Sequence, residues 1–293
     1  MTNILLYLTT IGIWGCSFFA INYQVDTGNP ATSVFFRFIL AALLMLVLCI
    51  ATNRKLLNFT IRQHCIIAFQ GFLLFCINFW LIYEASAFLT SGLIATVFST
   101  IVAMNIFGSA LLFKTAIDQR MVVAAILGFA GVGVIFWPEI SQLHLNKGII
   151  FGLLLSLGGT ISASIGMLMS AYFQKIGLPI VSTNTIGMAH GALLAGVIAI
   201  AKNEPFSFPT NNTYVISLAF LVVFASVIAF WSFLTLIGRI GPGRASYAMV
   251  FFPLLSLLLS TLFEDYKWSL NGVLGATLVI LGNTLVLRLK RNM

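Results

Sequence analysis

Ten apolar runs follow one another along the chain, at 3–22, 31–52, 64–83, 88–113, 120–137, 147–171, 179–201, 213–237, 243–263 and 269–288. Each is close to the ~20 residues that a helix needs to cross the hydrocarbon core of a bilayer. Turn chemistry separates several of them: Gly28-Asn29-Pro30, Gly177-Leu178-Pro179 and Gly241-Pro242-Gly243 each precede a helix start. Of the 293 residues, 60% are apolar and 8% charged, where a soluble domain carries about 25% charged residues. There is too little polar sequence to cover a water-facing surface. The chain is therefore read as an all-α integral membrane protein with ten transmembrane helices. No Lys or Arg precedes the first run and no small-residue cleavage site follows it, so it is expected to stay as an uncleaved helix.

The charges test this count. Let the N-terminus lie on one side and let the sides alternate. Eleven of the 15 basic residues then fall on the N-terminal side: Arg54, Lys55, Arg62, Lys114, Arg120, Lys175, Arg239, Arg244, Arg288, Lys290 and Arg291. Only Lys147, Lys202 and Lys267 fall opposite, and Arg37 lies inside a span. The acids invert the pattern. Asp118 stands with the basic side, while Asp26, Glu84, Glu139, Glu204, Glu264 and Asp265 lie opposite. Cytoplasmic loops concentrate Lys and Arg, so both termini are expected inside. A bacterial inner membrane is the expected location. The net charge of +8 is a topology signal here, and no nucleic-acid partner is inferred from it.

The chain also reads as if written twice. Phe79-Trp80 matches Phe230-Trp231 and Gly92 matches Gly243 at one offset of 151. Nearby offsets relate Pro30 to Pro179 and Leu127-Gly128 to Leu274-Gly275. Each half, 1–145 and 146–293, then holds five helices. Five is odd, so the second half enters the membrane from the opposite side. Inverted repeats of this kind are typical of secondary transporters, with the substrate site at the repeat interface near the midplane.

By these features the sequence resembles an EamA-type member of the drug/metabolite transporter superfamily. The segment "IWGCSFFAIN" (13–22) is similar to the family's Trp-Gly segment in helix 1, and Pro30 followed by "FFRF" (35–38) to its helix-2 pattern. The stretch "PGRASYAMVFFPLLSLLLSTLFED" (242–265) with "GVLGATLVILG" (272–282) resembles the helix 9–10 signature, with Pro253 in the helix and Glu264 at its end. The resemblance implies a central cavity between helices 1–4 and 6–9 and movement of small metabolites, often export of amino acids. Two features depart from it. Lys114-Thr115 stands where a Gly-Glu-like pair would be, and Ser99-Thr100-Ile101-Val102 replaces a helix-4 proline.

Polar side chains in lipid are expensive and face the bundle interior. This selects Asn78, Trp80 and Tyr83 in helix 3, Ser99, Thr100 and Asn105 in helix 4, His190 in helix 7, Trp231 and Ser232 in helix 8, and Tyr247 in helix 9 as candidate pathway residues. Structural readings stand beside each. His190 serves the pathway or bonds a neighbouring helix, Trp80 and Trp231 share a packing role, and Tyr83 and Tyr247 anchor at the interface. Helix 6 presents Gly152, Ser156, Gly159, Ala163, Gly166 and Ser170 on one face, a seam for close helix packing. Arg37 lies about 10 Å into its helix from Pro30, at 1.5 Å per residue. With Asp26 and Glu84 it forms an outward-side ion pair or gate, or else it meets a substrate carboxylate.

The leading function is secondary transport of a small metabolite, an amino acid or related amphipathic amine, by alternating access. A membrane-embedded enzyme or lipid-handling protein is the alternative. Against it, the chain shows no G-x-S-x-G, no H-E-x-x-H and no clustered carboxylates. His64, His144 and His190 are far apart, and Cys16, Cys49, Cys65 and Cys76 lack metal spacing and read as small buried hydrophobes. No catalytic residue, metal or cofactor is expected. The partners are the small-molecule substrate and the lipid bilayer, with the chain acting as a monomer or homodimer. No Asp or Glu sits at the centre of a span, so the usual carboxylate proton relay is missing.

Overall fold

The computed structural model describes residues 1–25, 27–53, 56, 59–135, 137, 141, 147–255, 258 and 268–287. Asp26, Glu139, His144, Glu264, Asp265 and Lys267 lie outside these residues. The described chain is helical, in ten segments. They are α1 (Asn3–Val25), α2 (Pro30–Ala51), α3 (Ile61–Ala85), α4 (Ser91–Ser99 and Ile101–Phe113) and α5 (Gln119–Ile135). The second set is α6 (Lys147–Lys175), α7 (Ile180–Ala201), α8 (Asn212–Ile240), α9 (from Pro242, helical to 255) and α10 (Leu270–Leu287). Among the described residues, seven helices are long and apolar enough to cross a membrane. Large apolar side chains such as Leu43, Leu111, Leu154 and Ile200 point outward, 53%, 82%, 61% and 66% exposed. A surface of that kind is stable only against lipid.

Capping sets the helix ends. Thr60 and Gln63 form a reciprocal capping box that starts α3. Thr90 caps α4 and Asn211 caps α8 through their side-chain oxygens. After α6 the chain reverses through Gly177, at φ +82°, and the Leu178 amide donates to the Phe173 carbonyl at 2.9 Å. Where the family pattern has a glycine after helix 4, Lys114 itself adopts the left-handed conformation, at φ 54°. The helix-4 proline is absent, yet α4 still breaks at Thr100. The Ser99 and Thr100 hydroxyls each donate to a carbonyl three residues back, at 2.7 Å, and such back-bonding loosens a helix without proline.

Packing pairs the halves. α1 lies on α8 and α6 on α3; α2 lies on α7, α4 on α9 and α5 on α10. Exchanging the two halves maps this set of pairs onto itself. Backbone contact is close where small residues face each other. A Cβ added at Gly71 in α3 would lie 2.2 Å from the Gly187 carbonyl oxygen of α7. Gly131 and Gly275 hold α5 and α10 together in the same way, with added Cβ atoms 2.6 and 2.4 Å from the opposite carbonyl. The small face of α6 is a seam as its sequence indicates: Gly152 meets Phe88 and Leu89, Gly159 meets the Asn78 carbonyl and Gly166 meets Leu74. Cys49 and Cys76 are buried, whereas Cys65 is exposed near the start of α3.

α3 and α8 share a rarer feature. Each contains a π-helical segment, Phe72–Ile77 and Leu221–Ile228, immediately before Asn78-Phe79-Trp80 and Ala229-Phe230-Trp231. A π-helical turn shifts backbone carbonyls out of the ordinary ladder, and such turns are frequent at functional sites. In α3 the Leu73 carbonyl accepts from Ser162 of α6 at 2.8 Å. In α8 the Ala225 carbonyl accepts from the Trp14 indole of α1 at 2.9 Å.

Candidate functional site

The π segments carry their following turns into a small cavity of about 40 Å³ between the halves. The lining includes Trp14 of α1, Arg37 of α2, Asn78 and Phe79 of α3, Met167 of α6 and Phe230 of α8. Arg37 is 1% exposed. Its Nε donates to Ser226 Oγ at 2.9 Å, and its guanidinium carbon lies 4.3 Å from the Phe79 ring centroid and 5.1 Å from that of Phe38. These are cation–π distances. The Tyr83 hydroxyl is its electrostatic neighbour. Three buried polar atoms around this point have no hydrogen-bond partner: Arg37 Nη1, Tyr83 OH and Asn78 Oδ1.

Just past Ile82, which lines the cavity, a charge cluster gathers at the end of α3. Lys202, just past α7, pairs with Glu84 at the end of α3 and lies 3.6 Å from Glu204. Trp80 Nε1 donates to Glu84 at 2.9 Å, and the Lys202 ammonium lies 5.6 Å from the Trp80 ring centroid. Glu204 in turn accepts from the Thr32 amide at 2.9 Å, in the first turn of α2, where a carboxylate is favoured by the helix dipole. The sequence reading paired Arg37 with Glu84, and the structure corrects this. Glu84 stands at the level of the helix ends, opposite Lys202. Arg37 lies deeper, beyond the reach of that cluster. Its other proposed partner, Asp26, is outside the described residues.

Towards the opposite end lies a polar knot. Asn105 of α4 donates to Ser246 of α9 at 2.5 Å and accepts from Ser164 of α6 at 2.7 Å. Beyond it opens a vestibule of about 880 Å³, lined by Ser109, Asp118, Lys175, Arg239 and Arg244, among others. Its cations belong to the basic side of the sequence.

A chain with a small cavity between paired halves, a charge cluster near one end and a vestibule towards the other, has the form of a carrier. The model of the EamA-like transporter family matches residues 1–137 and 150–288. The chain belongs to the EamA-like transporter family.

Relatives of this EamA-family chain cover almost its full length. An uncharacterised transporter of Archaeoglobus fulgidus is 24% identical over 95% of this chain and 96% of its own. The uncharacterised inner membrane transporter YedA of Escherichia coli K12 is 29% identical over 93% and 89%. The uncharacterised transporter YyaM of Bacillus subtilis is 25% identical over 96% and 93%. A solved structure titled "Crystal structure of protein" superposes with a TM-score of 0.78 at 17% identity, covering 97% of this chain and 95% of that one. That likeness shows the shared fold.

In this EamA fold, the residues chosen from sequence scatter. Asn78 lines the cavity, and Tyr83 stands behind it against Arg37. Trp80 belongs to the charge cluster. Ser99 and Thr100 satisfy backbone at the α4 break, and Asn105 forms the polar knot. Tyr247 is fully buried and donates to the Met121 carbonyl of α5, which ties α9 to α5 and removes it from the membrane interface. Ser232 is buried with its hydroxyl unpartnered, and Trp231 packs half-buried on the core. His190 does not line either chamber. It is half-buried, with Nδ1 2.8 Å from the Ile186 carbonyl one turn back. Among the described residues no His, Cys, Asp and Glu cluster fit to hold a metal occurs.

The sequence reading missed several lining residues: Trp14, Ser17, Phe98, Met167, Phe230 and Phe252. It missed Ser226 and Lys202 as well. One signal was available. Trp14 lies in mid-helix, far from the ends where tryptophan anchors to the interface, so its indole N–H needed an internal acceptor.

Proposed function

We propose that the chain is a secondary transporter that moves a small, partly apolar metabolite, an amino acid or related amphipathic amine, by alternating access. It works as two inverted five-helix repeats, 1–145 and 146–293, with both termini in the cytoplasm of a cell whose inner membrane holds it, and it runs as an exporter. The observation that carries this reading is the central cavity. Both halves build it, the Glu84–Lys202–Glu204 cluster stands near its end on the less basic side, and the polar knot separates it from the vestibule on the basic side. Rocking one half against the other would break the cluster and close the vestibule, which exposes the same cavity to the other face. The self-consistent pairing of helices and the matched π segments support the repeat, and the largely apolar lining supports transport.

Two measurements test this. Purified protein in liposomes should accumulate or exchange small amphipathic metabolites through a saturable route that empty liposomes lack. Absence of flux for any member of a broad metabolite panel, with folded protein present, would remove the transport reading. Reporter fusions after Asn203 and at the C-terminus should report opposite sides of the membrane. Finding them on one side would remove the inverted repeat.

A further inference from the structure

Among the described residues, the central cavity holds a cation with no carboxylate partner. Arg37 is almost completely buried, and guanidinium stays protonated in proteins. Burying a charge in low dielectric is costly unless it is paired. Here its partners are neutral: a hydrogen bond to Ser226, the neighbouring Tyr83 hydroxyl and two aromatic faces. The ion pairs among the described residues are those of Lys202, so no described carboxylate serves Arg37. Among the described residues that line the cavity there is no Asp or Glu. Nη1 and the adjacent Tyr83 hydroxyl make no well-formed hydrogen bond, and Asn78 Oδ1 is unpartnered as well.

We infer that Arg37 is the anchor for the carboxylate of the transported molecule, and that the substrate class is a small carboxylic acid with an apolar or aromatic body. This rests on the transport reading above and narrows it. Of the two chemistries proposed there, an amino acid brings a carboxylate for Arg37 and a simple amine does not. Nη1 donates to one carboxylate oxygen, Tyr83 OH supplies a second donor, and charge-assisted bonds of this kind are the stronger ones. Asn78 Oδ1 is the one unpartnered acceptor in reach of a substrate N–H. Trp14, Phe79, Phe98, Phe230 and Phe252 supply the walls for the apolar body. The vestibule agrees: Lys175, Arg239 and Arg244 outnumber Asp118 along it, which raises the local concentration of anions. The present cavity of about 40 Å³ is room for little more than water, so the body enters as the halves move apart.

The test uses the purified full chain in nanodiscs of phosphatidylcholine, which leaves no net-anionic lipid to serve as the counter-ion. The probes are matched trios: L-phenylalanine, its amide and phenethylamine; L-leucine, its amide and isoamylamine; and 4-phenylbutyrate with its amide and amine. Melting temperature and tryptophan fluorescence read binding, since a ligand of the folded state raises its stability. The acids are expected to bind at least tenfold more tightly than their amides and amines. Arg37→Gln should abolish that preference, and Arg37→Lys should retain part of it, because an ammonium keeps the charge and loses the planar fork. Tyr83→Phe should weaken the acids several-fold and leave the melting temperature of the empty protein near that of the parent. This variant keeps the test decisive if Arg37→Gln fails to fold. The inference is overturned if no acid binds, if an amide matches its acid, or if an Arg37 variant lowers stability yet keeps the acid preference. Flux of the same trios separates the two readings. Amines that cross while acids do not would sink the carboxylate alone, and acids that bind without crossing would sink transport alone.

Discussion

α3 and α8 are the same device with different chemistry. Both contain a π segment, both follow it with a Phe-Trp pair, and both have a π-segment carbonyl that accepts a bond from the other half, from Ser162 and from Trp14. At the offset of 151, however, Asn78 corresponds to Ala229, Tyr83 to Leu234 and Glu84 to Thr235. In the flanking pair α2 and α7, the Pro30–Pro179 offset sets Arg37 against Ile186. The first half therefore contributes the charge, the amide and the phenol. The second half answers with Ser226 and the rings of Phe230 and Phe252. The two halves place matched π segments beside the cavity, and their side chains differ: a polar side from the first half meets an apolar wall from the second. A symmetric site would have buried a second unpaired charge, at a cost of several kcal/mol in low dielectric.

The comparison predicts a hierarchy of effects. The largest belong to the contacts that hold the halves together. Gly71→Val and Gly275→Val each force a side chain into an opposing backbone carbonyl, which cannot move as a flexible side chain would. Both should cost more than about 3 kcal/mol, beyond the usual range for overpacking, and so lose most of the monodisperse protein. Gly12→Val, whose added Cβ meets nothing within 4 Å, should leave yield and melting temperature unchanged. Equal tolerance at the three positions would remove the backbone-contact account.

Next come the paired donors. Trp14→Phe and Ser162→Ala each remove a donor from a π-segment carbonyl; the Leu73 carbonyl keeps the Asn78 amide. Loss of one such hydrogen bond costs about 0.5–1.5 kcal/mol. If the two π segments are equivalent, both variants should lower the melting temperature, with Trp14→Phe the larger because ring packing against Phe230, at 4.7 Å, also changes. A drop in only one of them would show that one π segment is incidental.

The smallest effect concerns His190. Its ring bonds within its own helix and lines neither chamber, so His190→Ala should lower stability by no more than about 0.6 kcal/mol, the average for hydrogen bonds between membrane helices. Substrate affinity, measured in parallel, should not move. A tenfold loss of affinity at unchanged melting temperature would return His190 to the pathway and give the second half a polar share in the site.

What the sequence determined by itself was everything that lipid and chain connectivity impose locally. A helix in hydrocarbon must satisfy its own backbone, so apolar run length and turn residues placed the helices to within a few residues. The ordered matches announced two related halves, and the small face of α6 announced a seam because close backbone approach needs small side chains. Tertiary structure alone decided the partners. Glu84 and Lys202 are 118 positions apart, Arg37 and Ser226 are 189 apart, and no local rule pairs them. Two π segments, invisible in residue type, rotate the turns that carry Asn78 and Phe230 towards the cavity. Polarity within a span showed which side chains face inward, but several of them only satisfy backbone. Which of them meet at one point depends on how ten helices pack, and that is a sum of contacts between residues far apart in the chain.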